Sequence, residues 1–146
     1  MANWYGTARS NYVRIKDMDG LKKALGPFDI KVVAKDNSDP NLVCFLSVDA
    51  DSGGWPGFGY VEAENEETGA GDEVEFDPAA HICPFMADGE ILVMMEAGAE
   101  KLRYVTGSAQ AYNSKGEVVY LNLDRIYKLA AKKFKADLSK ISLCEY

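Results

Sequence analysis

Residues 10–15 (Ser-Asn-Tyr-Val-Arg-Ile) alternate between apolar and polar with a period of two, which predicts a strand. In residues 30–35 the same period sets Ile30, Val32 and Ala34 on one face. Residues 42–48 are almost continuously apolar and suit a central strand. The polar run between them (Asp-Asn-Ser-Asp-Pro-Asn, 36–41) has turn chemistry, so 30–48 is expected to be a β-hairpin. Further strands are expected at 60–61, 73–76, 90–96, 102–112 and 118–123. Gly107 is placed as a bulge, 97–100 as a connection and 113–116 as a hairpin turn.

Three segments switch to helical spacing. Asp17 or Asp19 is positioned to cap a short helix over Leu21, Ala24 and Leu25, ended by Gly26 and Pro27. Asp77 followed by Pro78 starts a second helix carrying Ile82, Phe85 and Met86, which Pro84 keeps short. Asp124 opens the third. Ile126, Leu129, Ala130 and Phe134 form its apolar stripe, with Arg125, Lys128, Lys132, Lys133 and Lys135 around it. Ile141 and Leu143 in the C-terminal tail are expected to dock on the body. Strands joined mostly by short turns predict an α+β domain over 1–146: a mainly antiparallel sheet with two or three helices packed on it.

Composition agrees with a folded globule, because a chain of 146 residues with 47% hydrophobic content can build a core. The longest apolar run, Ile91 to Met95, is far short of a membrane span, and the first residues lack a signal peptide's pattern. A cytoplasmic location in a host cell is therefore expected. Three widely spaced cysteines (Cys44, Cys83, Cys144) do not read as a disulfide framework.

Charge changes the picture most. Between Asp36 and Glu100 there are 16 Asp and Glu and no Lys or Arg. The flanks hold all 16 cations and seven acids, so the middle is −16 and the flanks +9. Direct binding to nucleic acid is disfavoured, since phosphate contacts need Lys and Arg. Anionic membranes are disfavoured for the same reason.

Candidate chemistry is sparse. His81 and Cys83 lie two apart, a poor spacing for a nucleophile and its base on a helix. Asp49-Ala50-Asp51-Ser52-Gly53-Gly54 begins like a calcium loop but has glycine at the fifth position and Tyr60 where the closing glutamate belongs. No metal or other cofactor is expected. The loop 53–60 alternates aromatics with glycine. Trp55 and Phe58 there either plug the core edge or anchor a protein partner. The densest acids are Glu62, Glu64, Glu66, Glu67, Asp72, Glu73, Glu75 and Asp77. In a strand, Glu73 and Glu75 share one face about 6–7 Å apart. Phosphates of one DNA strand repeat at a similar spacing, so a carboxylate row can address a protein surface made for a phosphate backbone. Asp49, Asp51, Trp55, Phe58 and these eight acids are the expected partner-binding set.

Residues 6–17 (Gly-Thr-Ala-Arg-Ser-Asn-Tyr-Val-Arg-Ile-Lys-Asp) and 87–104 (Ala-Asp-Gly-Glu-Ile-Leu-Val-Met-Met-Glu-Ala-Gly-Ala-Glu-Lys-Leu-Arg-Tyr) cover about a fifth of the chain. Together they resemble small acidic proteins carried by phages and plasmids. That neighbourhood includes anti-restriction and anti-CRISPR inhibitors, many of which act by binding. The resemblance implies a non-enzymatic inhibitor that engages a basic, nucleic-acid-handling defence protein or complex through its acidic middle. Self-association into a homodimer is also allowed. Two alternatives stand beside it: an assembly module binding through its aromatic loop, and an enzyme with a carboxylate or cysteine site.

Overall fold

The structure, a computed structural model, describes residues 4–48, 53–62, 71–100 and 104–144. The strands are β1 (Trp4–Ser10), β2 (Val13–Arg14), β3 (Ile30–Asp36), β4 (Asp39–Ser47), β5 (Phe58–Val61), β6 (Asp72–Glu75), β7 (Ile91–Glu100), β8 (Tyr104–Asn113) and β9 (Val118–Asn122). The helices are α1 (Met18–Leu25), α2 (Pro78–His81) and α3 (Arg125–Phe134), with 3-10 turns at Cys83–Phe85 and Leu138–Lys140. This is the α+β class expected, built on a seven-stranded antiparallel sheet.

Across the sheet the order is β3, β4, then β1 with β2, then β7, β8 and β9. β1 and β2 share one slot because the chain bends at Asn11 and Tyr12. Asn11 stitches the bend to β7: its side chain donates to the Ile91 carbonyl (2.9 Å) and accepts from the Val93 N–H (2.8 Å). Beside it, the buried Ser10 hydroxyl accepts from the Phe45 N–H (2.8 Å) and donates to the Asn11 carbonyl (2.7 Å). Ser10→Ala leaves the buried Phe45 N–H without a partner. It should cost about 1–3 kcal/mol in urea unfolding with an unchanged m-value.

Register separates the two faces. Val13, Val43, Phe45, Leu92, Met94 and Tyr112 point to one side, where α1, α2 and the Cys83–Phe85 turn close the core through Leu21, Leu25, Ile82, Cys83 and Met86. Asp17 caps α1 by accepting from the Gly20 N–H (2.9 Å), and Asp77 caps α2 through the Ala79 N–H (3.0 Å). The Trp4 indole lies across the cross-strand pair Gly6 and Gly98, where any Cβ would strike the ring.

Three expectations are corrected. Residues 97–100 continue β7 instead of leaving the sheet, since their small side chains still pair in register with 104–107. Gly107 is no bulge, because pairing runs unbroken from Ile91↔Asn113 to Glu100↔Tyr104. Its missing side chain makes room for Leu123, whose Cδ1 would lie 2.9 Å from a Cβ at 107. Finally, α3 does not face the core. Ile126, Leu129 and Phe134 are 61%, 50% and 72% exposed, and Asp124 makes no capping hydrogen bond.

Candidate functional site

Most of the expected acidic site that is described collects on one small element. β5 and β6 form a two-stranded sheet with Phe58 opposite Glu75, Gly59 opposite Val74, Tyr60 opposite Glu73 and Val61 opposite Asp72. Alternation gives the hairpin an inner and an outer face. Inside, Gly59 sits against the Pro27 carbonyl and the Phe28 ring, and Val74 packs on the core. Below the hairpin, Phe28 meets Phe76 at 5.0 Å and the edge of His81 at 4.8 Å between ring centroids. Outside, Phe58, Tyr60, Glu73 and Glu75 all stand in solvent, with the aromatics 57% and 68% exposed. The Tyr60 hydroxyl reaches Glu73 Oε2 at 3.4 Å.

The outer face therefore pairs each aromatic ring with a carboxylate across the strands. Glu62, Asp72 and Asp77 flank it, all exposed. Among the described residues the two ion pairs are Arg14–Asp39 (2.9 Å) and Lys16–Asp88 (3.9 Å), and neither touches the hairpin. The Arg14 hydrogen bond holds the Asp39 carboxyl below its ordinary range. Asp77 has a structural duty as well, since its carboxylate caps α2.

Of the expected set, Phe58, Glu62, Asp72, Glu73, Glu75 and Asp77 thus lie on or beside this hairpin. Trp55 does not join them on its open face. It is half-buried against the core, its backbone N–H donates to Glu96 Oε2 (3.0 Å), and the preceding Gly54 carbonyl accepts from the Ser47 hydroxyl. Gly53, at φ +72°, lets this loop cross directly over the Gly6 carbonyl. Trp55 accordingly sits at the core edge, the first of its two expected readings, in a loop that Glu96 and Ser47 hold down. Asp49, Asp51, Glu64, Glu66 and Glu67 lie outside the described residues, and so do the first positions of the calcium-like loop. Tyr60 was missed as a site residue. The signal was present, because it stands two positions after Phe58 and so shares its strand face.

The His81 and Cys83 pair has no catalytic geometry. His81 Nδ1 accepts from the Asp77 N–H (3.0 Å) and its ring packs on Phe28 and Phe76. Cys83 is buried, and desolvation, helped by the Asp77 charge, pushes its thiol up to about 11. A protonated buried thiol is a poor nucleophile at neutral pH. At pH 8 Ellman's reagent should titrate one thiol per native chain, the exposed Cys144, and all three after denaturation.

A second surface was not foreseen. After Tyr112 no described residue is buried. β9 exposes Val118, Val119, Tyr120 and Leu121, and α3 exposes its apolar stripe. The spacing was legible, but periodicity identifies an apolar face without saying whether the same chain covers it. No helix among the described residues is long and apolar enough to cross a membrane. No protein-family model matches this chain, and neither curated proteins nor solved structures gave a match.

Proposed function

We propose that this protein works by binding, presenting the outer face of β5–β6 to a basic surface of a nucleic-acid-handling protein. The observation that carries this reading is the hairpin itself. It sets Glu73 and Glu75 beside Phe58 and Tyr60 on a solvent-facing strand pair within a stretch of the chain that holds no cation. Carboxylates repeated every second residue match the spacing of backbone phosphates, and the aromatics offer area that a solvated acidic loop lacks. A surface of this composition competes with nucleic acid for a phosphate-binding groove. The resemblance to acidic proteins of mobile elements supports a host-defence effector, either a CRISPR complex or a restriction enzyme, as the target, with inhibition as the outcome.

The test is competition. The purified protein is titrated into a restriction enzyme or CRISPR effector complex already bound to labelled DNA. Release of the DNA is expected, with an apparent affinity that falls steeply as salt rises. Failure to displace DNA from any effector of the host, or displacement indifferent to salt, rejects the proposal.

A further inference from the structure

The segment after Tyr112 has a thermodynamic problem. α3 is ten residues long and buries none of them. Isolated helices shorter than about 12–15 residues are marginal in water, and most helical stability in proteins comes from packing an apolar face. Its main neighbour is the short Leu138–Lys140 turn. Ile126, Leu129, Ala130 and Phe134 lie on one side, which Lys133 shares, while Arg125, Lys128 and Lys132 lie on the other.

The sheet has the complementary problem. Its face opposite α1 and α2 is bare over β7, β8 and β9. Register places Met95 beside Ala109 and Ala109 beside Leu121, with Ala97 beside Gly107. Together with Leu123 they line an apolar groove of about 320 Å³. Leu123 fills the space over Gly107, while Ala97 and Ala109 form the floor and Met95 and Leu121 the rim of a shallow trough that a helix can cover.

The area supports a large missing contact. A folded monomer of 16.0 kDa exposes roughly 7,400 Å², whereas this chain exposes 10221 Å². The excess of roughly 2,800 Å² per chain, part of which belongs to residues outside those described, is more than the ~800 Å² that each partner of a standard interface buries.

We infer that two copies of this chain form a symmetric dimer in which α3 of each lies across the bare sheet face of the other. Both halves of the contact are in one sequence, so a two-fold arrangement closes on itself. The helix is kept from its own sheet by its link. Only Leu123 and Asp124 separate β9 from α3, and both are fixed: the Leu123 N–H donates to the Gly107 carbonyl (3.0 Å), the Ile126 N–H to Leu123 (3.0 Å) and the Tyr127 N–H to Asp124 (3.2 Å). A turn this tight leaves α3 little freedom to fold back over the sheet. Arg125, Lys128 and Lys132 stay in water in the dimer, and Lys133 lays its stem along the contact with its ammonium at the rim.

Sedimentation or light scattering at micromolar concentration should give twice the chain mass of 16.0 kDa. Leu129→Asp on the helix and Leu121→Asp in the groove change residues already exposed in the single chain. Each should therefore keep the circular dichroism of the core while raising the dimer dissociation constant roughly 30-fold or more. Crosslinking fixes the arrangement. In a Cys144→Ser background, chains carrying Leu129→Cys are mixed with chains carrying Ala109→Cys and oxidised. A disulfide-linked heterodimer is the expected product, and a single chain carrying both changes should link to its neighbour. A monomeric wild type overturns the inference, whatever other protein the surface binds. So do a dimer indifferent to Leu129→Asp and an internal disulfide in the doubly substituted chain, which would put the helix on its own sheet.

Discussion

Gly59→Val is expected to detach β5–β6 from the body and abolish binding while the large sheet stays folded. A Cβ at position 59 would fall on the Pro27 carbonyl and 2.7 Å from Phe28 Cδ1. The first obstacle is backbone, which cannot rotate aside. Overpacking of a core typically costs 1–3 kcal/mol, and a clash with a carbonyl lies at or above the upper end. A two-stranded hairpin has nothing in reserve against that, since an isolated one is marginal in water. Local release is therefore cheaper than strain. Amide exchange in 58–61 and 72–75 should rise to nearly unprotected rates, while β1, β7 and β8 keep theirs. The thermal transition of the sheet should shift by only a few degrees. Global unfolding would mean that the hairpin is part of the main cooperative unit.

The same hairpin shows what sequence pattern can and cannot deliver. Glu73 and Glu75 were legible as a same-face pair because strand alternation is a local property. The 30–48 hairpin was legible for the same reason, with turn residues between two apolar runs. Gly59 carries no local mark of its role; its importance comes from Pro27 and Phe28, more than thirty positions earlier. Trp55 is ambiguous in one dimension, and its burial is decided by two hydrogen bonds of its loop: the Ser47 hydroxyl donates to the Gly54 carbonyl, and the Trp55 backbone N–H donates to Glu96. The 97–100 segment read as a connection because Ala, Gly and Ala have low strand propensity; ladder pairing to 104–107 outweighs that. α3 is the converse case. Its pattern was read correctly as amphipathic, but the assumption that its own chain covers the stripe does not hold in this chain.

Reversing charge with Glu73→Lys and Glu75→Lys together is expected to weaken target binding on the order of 100-fold or more at low salt. Both side chains are exposed and belong to neither ion pair found among the described residues. Stability should therefore barely change, which separates this pair from Gly59→Val. Repulsion from a basic partner acts mainly on the encounter, so the loss should appear in the association rate. It should shrink as ionic strength approaches 1 M, where the screening length falls to about 3 Å. Phe58→Ser with Tyr60→Ser tests the other half of the same face. Loss of desolvated aromatic area acts on dissociation, and it should persist at high salt. If the aromatic pair matters and the charge pair does not, the acids serve solubility and the hairpin is an apolar docking element. If both matter, the charge effect fading with salt and the aromatic effect persisting, charge brings the partner in and the two rings hold it there.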